Sequence, residues 1–371
     1  MKKVLSIALA SALTCSVVMA KEIKIGAVMP MSGPLAAYGQ VTNLGVELAN
    51  KIQPTLKNGD TIKIVLLDNK GDKVETANAT TRLISSDGVV AILGALTSTN
   101  TAQTIAIADK KKIPVIASVA TNDRLTAKRE FANRVCFTDS FQGEVVANFA
   151  KAQGYKTAVV IVDQAQVYSL GLSKAFETAF EKNGGKIVKN IKVTSGDKDF
   201  KAVVSQIKDI NPDFMFLPLY HPEASMIARQ SKQLGLEKPM FSGDGVANQT
   251  FIDLGGESVN GYMFTDFFDY SNPPSPKSAD FVAFHEKETG NKEMNSFTAL
   301  GADTYNVLID AMNRCEDPSN SICINDEIKK TKDFDGVSGK ISINNEGNAT
   351  RSAVIKEIKD GVAVFKATVN P

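Results

Sequence analysis

From residue 23 onward, short runs rich in Val and Ile alternate with longer stretches whose apolar residues recur every three or four positions. A β-branched run bounded by polar residues fits a strand, and recurrence at three and four fits one face of a helix. Residues 23–28, 62–67, 89–93 and 115–117 read as strands. Val41, Leu44, Leu48 and Ile52 predict a helix after the first strand, and residues 74–84 and 101–109 predict helices after the next two. The pattern restarts past residues 137–141, with helices over 141–152, 172–182, 200–210 and 224–234 and strands over 157–162, 187–193, 214–217 and 240–242. Asn183-Gly184-Gly185 and Gly235 stop two of these helices. Serial βαβα repetition implies a mostly parallel sheet covered on both faces by helices, so two α/β halves lie in series.

A strand over 262–265 leads into the polar, proline-rich stretch 271–276, which cannot lie inside a sheet. Helices over 279–287 and 299–312 follow. The chain ends on a hairpin pattern, 354–358 and 362–366, around the turn dipeptide Asp360-Gly361.

The N-terminus sets the expected compartment. Lys2 and Lys3 precede an apolar run over residues 4–18, and compact residues stand before Lys21. Residues 1–20 therefore read as a secretory signal peptide. A membrane anchor is the competing reading, but the run falls short of the roughly 20 apolar residues a spanning helix needs. A lipidated Cys15 fits poorly behind Leu13-Thr14. Removing residues 1–20 takes away two lysines and no acid, which leaves 40 basic against 41 acidic side chains in 351 residues. The basic residues are scattered singly, without the stripe that nucleic acid requires, so no nucleic-acid partner is expected. A chain of this length exceeds what one core serves, and two lobes are the expectation.

Cys136, Cys315 and Cys323 remain after cleavage. Cys315 and Cys323 flank a polar loop with one proline, and an oxidising exterior favours their closing as a disulfide. Cys136, between Val135 and Phe137, reads as packing within a buried strand. With His221 and His285 as the sole histidines, no metal site is expected. No G-x-S-x-G elbow, P-loop or G-x-G-x-x-G occurs, so neither a cofactor nor a catalytic machinery is indicated. His221 stands just before Pro222 at a helix start, where a cap or a surface role is expected.

Polar residues at strand ends remain. In open α/β sheets ligands bind outside the carboxyl ends of the strands. The strand 89–93 runs into a hydroxyl-rich segment containing Ser98, which fits either an ordinary helix cap or a carboxylate site. Val119 and Thr121 follow the next strand, and Tyr168, Tyr220 and Asp244 follow strands of the second half. A carboxylate grip opposite an acid with aromatic walls suits a zwitterion with an apolar side chain. Asp244, between Gly243 and Gly245, also fits a plain turn.

Residues 24–39, with Met-Ser-Gly-Pro and Tyr38-Gly39, resemble the mature start of the periplasmic leucine/isoleucine/valine-binding proteins, the substrate-binding subunits of branched-chain amino acid ABC importers. Tyr220-His221-Pro222-Glu223 and the segment 243–248 resemble later motifs of that family, in the same order. The resemblance implies a type I periplasmic-binding fold: two doubly wound parallel-sheet lobes joined by a three-strand hinge, the first from 21–139 with 268–345, the second from 140–267 with 346–371. It also implies roles. Ser98 and Thr121 would hold the ligand carboxylate, the Val119 carbonyl and Asp244 its ammonium, and Tyr38, Tyr168, Tyr220 and Phe297 would wall the pocket. Two positions depart from the pattern: Asp244 replaces a glutamate, and Thr97 stands where some members carry a disulfide cysteine.

The expected protein is a monomeric periplasmic receptor that passes a small amino acid, with Leu, Ile and Val first, to the membrane permease of an ABC importer. The alternatives are the same clamp around an amide, urea or another amino acid, or a ligand sensor for a membrane receptor.

Overall fold

The computed structural model describes residues 20–371. The expected signal peptide lies outside the described residues except for its last position. Among those described, no helix is long and apolar enough to cross a membrane.

The first sheet contains β1 (Glu22–Met29), β2 (Thr61–Asp68), β3 (Ile92–Gly94), β4 (Val115–Ala117) and β5 (Ala132–Arg134). All are parallel, in the order β2-β1-β3-β4-β5. The second sheet is built from β6 (Thr157–Asp163), β7 (Lys186–Val193), β8 (Phe214–Phe216), β9 (Met240–Ser242) and β10 (Met263–Asp266). These repeat the same order as β7-β6-β8-β9-β10. A small antiparallel sheet of β11 (Phe334–Gly336), β12 (Gly339–Ile343) and β13 (Ala349–Thr350) comes next in the chain. The terminal hairpin, β14 (Ala353–Lys359) and β15 (Val362–Val369), then adds to β10 in antiparallel sense. Asp360 and Gly361 both have positive φ, as a tight hairpin turn of this kind requires.

Each five-strand set changes winding direction between its first and third strands. That switch point opens a crevice at the carboxyl ends, between β1 and β3 in one half and between β6 and β8 in the other.

The helix Ser296–Met312 is remote in sequence but belongs with the first sheet. It packs on the helix Ala36–Ile52 at very short range, because a Cβ on Gly45 would lie 1.9 Å from the Thr298 carbonyl and one on Gly301 2.0 Å from that of Thr42. The Thr298 hydroxyl donates to the Val41 carbonyl at 2.9 Å. This crossing sets Phe297 against the Tyr38 ring.

The chain passes between the two large sheets three times: after β5, after β10 and between β13 and β14. Arg351, buried at the third passage, ties all three together. It donates to the carbonyls of Val135 at 3.4 Å, Phe267 at 2.9 Å and Ser338 at 2.9 Å, and its guanidinium lies over the Phe267 ring.

Local differences from the sequence reading have identifiable causes. The helix expected from residue 101 starts at Ser98, because Thr97 alone takes the capping role and accepts from the Asn100 N–H. Tyr168 sits in the first turn of the helix Val167–Lys182 rather than on a strand-end loop. Cys136 lies two residues past β5, buried in the passage between the sheets. His221 is buried rather than at the surface, 2% exposed, under the Tyr38 ring. Cys315 and Cys323 are joined by a disulfide, with Cys323 inside the helix Ser321–Lys329.

Candidate functional site

The carboxyl ends of the two switch points face each other across a small cavity. Tyr38, Ser98, Val119 and Phe297 line this cavity from the first sheet's side, and Tyr168, Tyr220 and Asp244 line it from the second. Leu96, Thr97 and Gly245, which the sequence reading did not assign to the pocket, complete the wall. Thr121 is the one expected residue outside it: the side chain is fully buried just behind Val119, and its hydroxyl has no partner among the described residues.

One wall suits an anion. Ser98 is the first residue of the helix Ser98–Ala108, so the N–H groups of its first turn have no intrahelical acceptor. Thr97 satisfies those of Asn100 and Thr101, which leaves Ser98 and Thr99 to face the cavity end. Free N–H groups and the positive end of the helix dipole favour a carboxylate there. The Ser98 hydroxyl accepts from the Asn122 N–H at 3.3 Å and keeps its proton to donate.

The segment between Val119 and Asn122 is held from outside the cavity. Buried Arg134 donates to the carbonyls of Ala120 at 3.1 Å and Asn122 at 2.8 Å, and the Asp139 N–H donates to that of Thr121 at 2.9 Å. The Val119 carbonyl, alone among these four, accepts from no group among the described residues and remains available to a donor in the cavity.

The opposite wall suits a cation. Asp244 follows β9, is 4% exposed, and burial pushes its carboxyl up to about 7. The Gln142 amide donates to its Oδ1 at 2.7 Å. A carboxylate so enclosed lacks a counter-charge, and a ligand ammonium would supply one. Burial likewise raises the carboxyl of neighbouring Asp139. The sequence reading missed Gln142, Arg134 and Asp139. All three lie in or beside the first passage between the sheets, and nothing in a linear pattern shows that this segment turns inward.

Aromatic rings make the remaining surface. Tyr38 stacks on Phe297 with centroids 5.6 Å apart, and Tyr168 on Tyr220 at 5.1 Å. Bonds between the halves hold this arrangement shut. The Tyr38 hydroxyl donates to the Gly245 carbonyl at 2.5 Å and accepts from the His221 N–H at 3.0 Å. The Asn295 amide donates to the Ala247 carbonyl at 3.0 Å, and the Thr99 hydroxyl accepts from the Val167 N–H at 3.1 Å. No cluster of candidate metal ligands occurs among the described residues.

Residues 22–362 match the periplasmic binding protein family. The Leu/Ile/Val-binding protein BraC3 of Rhizobium johnstonii is 28% identical over 355 residues, 94% of each chain. The Leu/Ile/Val/Thr-binding protein of Salmonella typhimurium is 31% identical over 261 residues, 70% of this chain and 71% of its own. Among solved structures, a leucine-binding protein LivK from Thermotoga maritima superposes with a TM-score of 0.92 at 37% identity, over 94% of this chain and 99% of that one. The branched-chain amino acid transporter substrate-binding protein LivJ from Streptococcus pneumoniae, in complex with isoleucine, gives 0.88 at 31% identity, over 95% and 100%. Two doubly wound lobes, a cavity between their strand ends and these likenesses agree: the chain belongs to the periplasmic binding protein family, alongside the Leu/Ile/Val-binding proteins.

Proposed function

We propose that this chain is the extracytoplasmic receptor of a branched-chain amino acid importer. It takes up Leu, Ile or Val between its lobes and delivers it to a membrane permease. The observation that carries this reading is the opposition of two walls across one small cavity: the helix N-terminus at Ser98 on one side, a buried carboxyl at Asp244 with no counter-charge on the other. An α-amino acid carries both a carboxylate and an ammonium, and its apolar side chain would lie among Tyr38, Leu96 and Phe297.

In this reading the lobes comprise residues 21–139 with 268–345 and 140–267 with 346–371. The carboxylate first docks on Ser98 of one lobe, with the ammonium toward the Val119 carbonyl. Hinge closure then brings Asp244, Tyr168 and Tyr220 of the other lobe onto the ligand, and the Tyr38 hydroxyl seals the two halves. No bond of the ligand breaks, so the protein acts by binding alone. Its place is outside the cytoplasmic membrane, with residues 1–20 as the export signal.

A thermal-shift screen against the twenty protein amino acids tests the proposal. A ligand at about 100 times its Kd adds about 2.7 kcal/mol to the folded state, a clear rise in melting midpoint. Leu, Ile and Val should give the largest rises. A response limited to charged or amide side chains would overturn the choice of ligand.

A further inference from the structure

We propose that Gln142 is a positioning residue for ligand recognition: without touching the ligand, its amide holds the Asp244 carboxylate turned toward the ligand ammonium. The inference rests on the reading of Asp244 as the ammonium partner.

Gln142 lies one turn into the helix Asp139–Ala152, has no exposed surface and is absent from the cavity wall. Its Nε2 donates to Asp244 Oδ1 at 2.7 Å, while its Oε1 is buried with no donor partner among the described residues. Leaving that oxygen unpaired costs stability, so the donor end must face something that rewards it. A flipped amide would set Oε1 against the carboxylate, two acceptors in contact whenever Asp244 is ionised, so the ligand-binding form of Asp244 favours the orientation shown.

The neighbouring backbone makes room for this amide. A Cβ on Gly243 would lie 2.0 Å from Gln142 Oε1 and 2.4 Å from the Tyr168 hydroxyl. Gly243 has φ −82°, a conformation open to any residue, so close approach rather than backbone geometry calls for glycine here.

The surroundings explain why the carboxylate needs such a partner. The groups that act on Asp244 are the Asp266 carboxylate of β10, Asp139 on the helix of Gln142, the hydroxyls of Tyr38, Tyr168 and Tyr220, and the Cys136 thiol. None of these is a cation; buried Lys356 pairs with Asp266 at 2.9 Å, and Arg134 acts on Asp139 and Cys136. Gln142 is the largest influence opposing burial. Gln142 takes Oδ1, and the Tyr168 hydroxyl is the other side chain that hydrogen-bonds this carboxyl.

The test compares leucine with 4-methylpentanoate, the same skeleton without the amine, by calorimetric titration and competition on wild type, Gln142→Met and Gln142→Asn. Leucine should bind Gln142→Met about 10- to 100-fold more weakly, since a hydrogen bond to a charged group is lost. Binding of 4-methylpentanoate should be unchanged or tighter, because Asp244 can then turn neutral. Gln142→Asn keeps the amide but withdraws it by one methylene. It should show the same change of ratio, smaller, and serves if the Met variant does not fold. Leucine affinity unchanged in both variants, or equal losses for both ligands, would overturn the proposal. Asp244→Asn separates it from its premise: retained leucine affinity there removes the ammonium partner itself, however Gln142 behaves.

Discussion

The Tyr38 hydroxyl and the Gly245 carbonyl, 207 positions apart in the chain, are hydrogen-bonded across the cleft at 2.5 Å. The same hydroxyl accepts from the His221 N–H, so one side chain of the first lobe bonds two loops of the second. Both bonds exist only while the lobes are together. Tyr38→Phe keeps the stacking on Phe297 and removes both. At about 0.5 to 1.5 kcal/mol each, their loss should weaken ligand binding roughly 5- to 100-fold in a calorimetric titration. The melting midpoint of the ligand-free protein should move little. Unchanged affinity would mean that this contact does not hold the cleft shut.

The buried acids make closure depend on pH. Burial raises Asp244 from 3.8 to about 7 and moves Asp139 in the same direction. The closed, ligand-free form therefore holds protons that an open, solvated cleft releases. Its advantage is present at the acid end, shrinks as pH rises from about 4, and is gone above about 7, a change on the order of 4 kcal/mol for Asp244. His221, pushed down to about 4 by burial, stays neutral over most of this window. Small-angle scattering of ligand-free protein should show a radius of gyration that grows between pH 5 and 8, while saturating ligand keeps it small throughout. A flat ligand-free profile would contradict this coupling.

Arg351 should matter to the fold as a whole. It is 3% exposed, lies on the third passage, and donates to the carbonyls of Val135 and Phe267 on the other two and of Ser338 in the small sheet. Arg351→Met leaves those acceptors buried and unpaired, which should cost about 3 to 5 kcal/mol in urea unfolding. A loss below about 1 kcal/mol would show that water or backbone shifts replace the guanidinium.

The sequence carried the periodic elements well and the connections poorly. Strand runs such as 157–162 and 240–242 announce themselves because buried parallel strands are continuously apolar. β5 (Ala132–Arg134) escaped notice, since two of its three residues are polar and make their bonds deep inside: Asn133 with Asn325, and Arg134 with the carbonyls around Thr121. The residues meeting at the cavity were legible through strand-end position and motif likeness. Their supports were not. Gln142 reads as an ordinary polar residue on an amphipathic helix, and only the third dimension sets it against Asp244. His221 misled for the opposite reason: a His-Pro helix start is common at surfaces, and its burial depends on the far-off ring of Tyr38.

Thiol chemistry gives an independent check on the fold. With Cys315 and Cys323 paired over a separation of eight residues, processed protein denatured without reductant should show one free thiol, that of Cys136. Loop closure of this size should contribute about 2 to 3 kcal/mol, measurable as the stability lost in Cys323→Ser. Three free thiols would contradict the pairing.

Asp244 is where the account is most exposed. A ligand ammonium enclosed without its counter-charge costs roughly 2 to 5 kcal/mol, a loss of about 30- to several-thousand-fold in affinity. Calorimetric titration of leucine into wild type and Asp244→Asn therefore tests the central claim directly. Wild type should bind leucine tightly and the variant should show a loss of that size, with the ligand-free melting midpoint nearly unchanged. Wild-type affinity retained by Asp244→Asn would make Asp244 a turn residue between two glycines and contradict recognition of the amino group.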